Sequence, residues 1–272
     1  GGNCLMIKKT ASRVYVALIF ILLYAPIVTL IVLSFNASRS RAKWGGFTLE
    51  WYFSLFENRQ IMEALYNTLL VAFLSALLAT VIGTAACIAL NSMKKRRRAF
   101  WMGLANIPML NADIVTGISL MLIFIALGQF LSRFGMGVTF GFWTVLIGHI
   151  TFNIPYVIMS VMPKLKQTNI STYEAALDLG ASPVTAFFKT VFPDILPGVL
   201  SGALMAFTMS LDDFVITHFV KGPGFDTLST KIYTEVKKGI KPEMYALSTL
   251  LFVTVLLLLV LSNRRPGTKR TR

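Results

Sequence analysis

Three acids are the residues of this 272-residue chain best placed to do chemistry in an apolar setting. Asp113, Asp212 and Asp213 are the carboxylates in or at the ends of its long apolar segments. An ionised side chain there costs on the order of several kcal/mol unless it is solvated or paired. No Lys or Arg lies in the ten residues before Asp212-Asp213, and Lys221 is the nearest beyond. Two adjacent acids so placed suit a water-lined path for a cation. Neighbours on a helix point about 100° apart, so one carboxylate can face the path while the other bonds a neighbouring helix or a partner subunit. Asp113 follows Pro108 and Asn111, and reads equally as the cap of a broken helix end or as part of the path.

Other chemistries find little support. His149 and His218 stand alone in the sequence, against a metal or catalytic role, and Cys4 and Cys87 give no disulfide or metal framework. No nucleophile–base pair is evident, which disfavours an integral membrane enzyme. No GxxxxGK[ST] loop is present to cradle phosphates, so the chain is not expected to hydrolyse nucleotide or to hold a cofactor of its own.

The elements that must position these acids are apolar. Hydrophobic residues make up 55% of the chain, charged residues 14%, and the mean hydropathy is +0.68. That composition predicts an all-α polytopic membrane protein, with 21 Phe, eight Tyr and four Trp suited to lipid-facing and interfacial positions. Six spans are predicted in one transmembrane domain, 1–272: 14–35, 68–90, a kinked 101–131 continuous from about Ile114, 140–162, 195–219 and 244–262. Pro26 is expected to kink the first, and Gly83 to allow close helix packing in the second. The basic residues before 14–35 resemble a signal peptide, but its length and lack of a small-residue cleavage site favour a retained span. Met6-Ile7-Lys8-Lys9 reads as the natural start, with residues 1–5 a start-site artefact.

The formal charge of +14 is distributed by side. The N-terminal segment and segments 91–100, 163–194 and 263–272 hold 16 of the 26 Lys and Arg residues. The positive-inside rule then predicts that these segments and both termini are cytoplasmic. The run Lys94-Lys95-Arg96-Arg97-Arg98 lies between two spans, so it needs no nucleic-acid partner.

Between the fourth and fifth spans, Ser171 to Pro197 carries helix signals. Ser171 and Glu174 have capping-box spacing. Gly180 is placed to stop a two-turn helix. Ser182 and Pro183 can start another, and Pro193 and Pro197 bracket the start of the next span. Two short helices at an angle are expected, too short to be stable without a partner. Glu174-Ala175-Ala176, then Gly180, then Thr190-Val191-Phe192-Pro193 resembles the EAA loop of ABC-importer permeases, with Thr190 and Phe192 departing from the family pattern. The resemblance implies that Glu174, Ala175, Ala176, Gly180 and Pro193 form a cytoplasmic coupling helix pair seated in a groove of an ATPase subunit.

A second resemblance covers nearly the whole chain. Ala206-Phe207-Thr208-Met209-Ser210-Leu211-Asp212-Asp213-Phe214-Val215-Ile216-Thr217, with Lys221-Gly222-Pro223-Gly224 and Lys231-Ile232-Tyr233, is similar to the spermidine/putrescine permeases of ABC importers. Ser34-Phe35-Asn36, Trp51-Tyr52 and Asp113-Ile114-Val115 fit the same family, whereas His218 and Lys221 are unexpected in it. The resemblance implies the type I importer fold in a bacterial inner membrane. It also implies a second permease subunit, an ATPase pair that binds ATP and Mg, an extracytoplasmic binding protein and a polyamine substrate. Asp113, Ser210, Asp212 and Asp213 would line the path. Carboxylates would match the ammonium groups and aromatic faces the methylene stems. Trp51 and Tyr52 would meet substrate or binding protein at the outer face, or else belong to an interfacial aromatic belt. A permease for another solute, such as a phosphonate or ferric ion, and an autonomous channel or secondary transporter are the alternatives. The absence of Lys and Arg inside the spans argues against an anionic substrate, and the absence of a visible inverted repeat against a secondary transporter.

Overall fold

Long runs without a charge fold as long helices, and polar breaks set their ends. The computed structural model describes residues 2–38, 43–135, 137–239 and 241–263. Among these residues, five helices are long and apolar enough to cross a membrane: Ser12–Ser34, Arg59–Asn91, Asp113–Ser132, Phe142–Gln167 and Pro183–Asp212. The segment predicted as a sixth span, 244–262, falls in a 22-residue helix, Pro242–Asn263. The basic residues of 264–272 lie outside the described residues.

The chain divides into two units. The first comprises Gly1–Met62 and Ile232–Arg272. It contains α1 (Gly2–Ser34) and α2 (Glu50–Glu57), both packed on the late helix Pro242–Asn263. On α1, Tyr15, Phe20, Ile21, Leu22 and Leu23 are exposed, an apolar surface fit for lipid or another subunit. After α1, Asn36 gathers the connecting loop. Its Oδ1 accepts from the N–H groups of Ser38 (3.1 Å) and Gly45 (2.8 Å), and its Nδ2 donates to Lys43 O (2.9 Å). At the end of α2, Asn58 Nδ2 donates to Glu243 Oε2 (3.1 Å), an acid in the first turn of Pro242–Asn263, where the helix dipole favours it.

The second unit, Glu63–Lys231, holds most of α3 (Arg59–Asn91), then α4 (Lys95–Leu110), α5 (Asp113–Ser132), α6 (Phe142–Gln167), α7 (Ile170–Asp178), α8 (Pro183–Ala186), α9 (Phe192–Asp212) and α10 (Val215–Val220). The start of α11 (Leu228–Lys238) follows; α12 is Pro242–Asn263. The main packing is α6 on α9. Gly198, Gly202, Ala206 and Ser210 recur every four residues, so they share one face of α9. A Cβ on Gly202 would lie 3.2 Å from Val157 Cα, and one on Gly198 2.9 Å from Ser160 O. Small residues here let two backbones approach. Gly83 does the same on α3, where an added Cβ would meet Val157 Cγ1 at 2.8 Å.

Three local expectations need correction. First, Asn169 rather than Ser171 caps α7: its side chain accepts from Ser171 N–H (3.0 Å), leaving Ser171 within the first turn. Second, the helix that starts at Pro183 does not end as a stub. It continues through a π-helical turn, Phe187–Val191, into α9, and Phe192 N–H donates to Phe187 O, five residues back. Pro193 has no N–H to continue the regular ladder, and the wider turn absorbs the misfit. Third, the apolar run 195–219 is not one helix; it breaks after Asp212 and resumes at Val215. The break expected in 101–131 falls at Asn111 and Ala112, with the continuous helix from Asp113, and the part before it belongs to α4, which begins in the basic run.

Candidate functional site

The break in the fifth apolar run is built from side chains. Asp213 leaves the helical conformation (φ −64°, ψ 123°), and its carboxylate turns back over the start of α10. Oδ1 accepts from Ile216 N–H (3.2 Å), and Oδ2 accepts from Thr217 N–H and from the Thr217 hydroxyl, both at 2.8 Å. A six-residue helix has few internal bonds, so this cap satisfies donors that would otherwise be orphaned.

Behind the carboxylate stands His149, 1% exposed. Its Nε2 lies 3.3 Å from Asp213 Oδ2 and 2.9 Å from Thr217 Oγ1, and its Nδ1 lies 2.9 Å from Ser210 Oγ. Ser210 Oγ also accepts from Asn153 Nδ2 (2.9 Å) and pairs with Ser75 Oγ (2.7 Å). One buried cluster thus joins α3, α6, the last turn of α9 and the start of α10. Although it contains Ser, His and Asp, Ser210 is only 3% exposed. A nucleophile needs access to its substrate, so the arrangement is suited to holding helices rather than to acyl transfer.

The two adjacent acids are therefore unlike. Asp213 is engaged on both oxygens and its side chain is 9% exposed. Asp212 is exposed, and its carboxylate has no hydrogen-bond or ion-pair partner among the described residues. Asp113 occupies the first turn of α5 and is exposed too. Ala112 is the N-cap residue and gives no side-chain bond, so Asp113 acts on that helix end through the dipole rather than as a cap. Lys221 bonds Asp226, which answers its charge locally, and His218 stacks on Phe214 at 5.2 Å.

The bend between α7 and α8 is a second feature of the same unit. Gly180 has φ +86°. Ala181 N–H donates to Ala176 O (3.1 Å) and Gly180 N–H to Leu177 O (2.8 Å), the paired bonds of a Schellman ending. Ser182 then caps α8 through Thr185 N–H (3.3 Å). Glu174 and Ala175 are exposed on α7, and Pro193 is exposed in the first turn of α9. Around the bend Ile170, Leu179, Val184 and Phe188 are 61%, 89%, 67% and 57% exposed, an apolar surface at a place where none is needed for the fold.

In the first unit, Trp51 and Tyr52 are engaged with their own loop. Trp51 is 8% exposed and its indole N–H donates to Asn36 O (2.8 Å). Tyr52 OH pairs with Ser34 Oγ (2.7 Å), and its ring lies 5.4 Å from that of Phe35.

The sequence alone does not mark His149, Asn153, Ser75 and Thr217 as functional. One signal was present: His149 and Asn153 are four residues apart in an apolar helix, so they share a face, and two polar groups on one buried face need a common partner. No group of three or more His, Cys, Asp or Glu that could hold a metal exists among the described residues.

Apolar helices of membrane-crossing length define a multi-pass membrane protein. Residues 79–264 match the family described as binding-protein-dependent transport system inner membrane component, and the chain belongs to that family. It is 39% identical over 258 residues to the spermidine/putrescine transport system permease protein PotC of Escherichia coli strain K12, covering 95% of this chain and 94% of that protein. The PotC protein of Haemophilus influenzae is 38% identical over 92% of this chain and 93% of its own. The putrescine transport system permease protein PotI of E. coli K12 is 36% identical over 93% and 90%. Among solved structures, a bacterial ABC transporter that imports the acidic polysaccharide alginate matches with a TM-score of 0.73 and 18% identity, covering 93% of this chain and 92% of that one. That likeness establishes the ABC-importer permease fold.

Proposed function

We propose that this chain is a permease subunit of an ATP-driven importer of polyamines, spermidine and putrescine being the substrates named for its relatives. The observation that carries this reading is the exposed carboxylate of Asp212 at a helix break, without a partner among the described residues, in a chain so similar to polyamine permeases. Asp212 and Asp113 meet the ammonium groups. Ser210 and Asp213, held in the buried cluster, form the wall behind them. The chain acts as one permease domain of six spans with cytoplasmic termini, α12 being the sixth.

The partners are a second permease subunit, an ATPase pair that binds ATP and Mg, and an extracytoplasmic binding protein. Helix α7 and the segment from Pro183 make up the coupling pair. Glu174, Ala175, Ala176 and Gly180, with Pro193 beyond the bend, present the exposed apolar surface to an ATPase groove. Closure of the ATPases moves this bend and opens the path alternately to each side. Trp51 and Tyr52 brace the outer loop that meets substrate or the binding protein.

The test is ATP-dependent spermidine uptake by membrane vesicles containing the assembled importer. Uptake that is saturable and needs this chain is expected. Uptake unchanged with both Asp212→Asn and Asp213→Asn would remove the path assignment.

A further inference from the structure

Asp212 lies between two neighbours that are both pinned. Ser210, two residues before it, is bonded to α3 through Ser75 and to α6 through Asn153. Asp213, immediately after it, is bonded to the start of α10. His149 bonds both sides of the break, with Nδ1 on Ser210 and Nε2 on Asp213 and Thr217. It reaches them from α6, whose backbone is fixed against α9 by the close contacts at Gly198 and Gly202. With Asp213 accepting at Oδ2, the Nε2–H of His149 is the donor, Nδ1 accepts from the Ser210 hydroxyl, and Ser210 accepts in turn from Asn153.

We infer that His149 is a positioning residue for substrate: it clamps the end of α9 to the start of α10, and so keeps the Asp212 carboxylate unpartnered and facing outward. This rests on the path reading of Asp212. Asp212 cannot turn inward while the residues flanking it are held, and Asp213, capped and paired, does not compete for the substrate ammonium. A buried imidazole serving only to fill space would need neither bond.

The experiment uses the assembled importer in membrane vesicles, at matched amounts of this chain. His149→Leu keeps similar bulk and removes both bonds; His149→Gln keeps a donor at the reach of Nε2. In His149→Leu the KM for spermidine is expected to rise about tenfold with little change in Vmax, while His149→Gln stays within about twofold of the unsubstituted chain. The second readout does not depend on substrate. In a Cys4→Ser, Cys87→Ala background, Asp212→Cys is labelled with a membrane-impermeant maleimide, with and without His149→Leu. Labelling is expected to slow by at least about threefold once the clamp is lost. An unchanged or faster rate overturns the inference, as does a His149→Leu chain whose KM is unchanged while Vmax falls with the amount of folded protein. If the unsubstituted importer takes up no spermidine but the labelling difference persists, the polyamine reading fails and the clamp stands. If labelling is unaffected while Asp212→Asn raises the KM, the clamp fails and the path stands.

Discussion

Asp212 and Asp213 are the same amino acid in adjacent positions, yet the backbone between them divides their work. Asp213 takes three bonds from α10 and one contact from His149; Asp212 takes none among the described residues. Substituting each is therefore expected to give a different failure. Asp212→Asn removes a charge from the proposed path without removing a structural bond, so the KM for spermidine should rise about tenfold or more at normal membrane abundance. Asp213→Ala deletes a cap and leaves His149 facing an empty acceptor, so a loss of about 1–2 kcal/mol is expected, read as a lower thermal midpoint of the purified complex. Equal losses of uptake with equal midpoints would contradict this division. The acids were legible in the sequence because charge in an apolar run is conspicuous. Their unequal roles were not, because the deciding partner, His149, is more than sixty residues away in the chain.

At the scale of elements, the sequence marked ends better than continuity. Gly180 announced the end of α7 through its chemistry, and φ +86° with the paired backbone bonds is what that chemistry produces. Gly180→Val is expected to strain that position by about 1–3 kcal/mol. It should lower spermidine uptake and the transport-coupled ATPase rate together, both measurable on reconstituted complex. Prolines misled in the other direction. Pro193 reads as a boundary, but a π-helical turn carries the chain through it, and no local pattern distinguishes a break from a bulge. The opposite holds at 213–214, where the run around Asp212-Asp213 reads as one helix but breaks, with Asp213 capping the start of α10 and His149 holding it from α6. Stripes of small residues were only partly visible: Gly83 stood out, whereas the four-residue rhythm from Gly198 to Ser210 acquires meaning once α6 lies against it. Gly202→Leu should force α9 off α6, lowering the amount of chain recovered from membranes.

At the scale of the molecule, the family membership and the exposed apolar surface around Leu179 point to work done in company. A pull-down in mild detergent is expected to recover an ATPase subunit, and Leu179→Glu should weaken that recovery without unfolding the chain, since Leu179 is 89% exposed. Labelling of Ala181→Cys from the cytoplasmic side only would agree with the proposed orientation; labelling from outside would reverse the whole scheme.

The π-helical turn at Phe187–Val191 has a geometric corollary. It holds one residue more per turn than its flanks, and it lies in a 30-residue rod, Pro183–Asp212, with the bend at one end and Asp212 at the other. Tightening that turn into regular helix would swivel everything beyond it by about 100° and shift it by about 1.5 Å. A modest tug on the bend is thereby geared into a change in where a distant carboxylate aims. Deleting Thr190 would instead make the Phe187–Phe192 bond that of a regular helix and keep both flanks in their present phase, so the chain should fold with Asp212 aimed as it is now, while uptake falls because the swivel is lost.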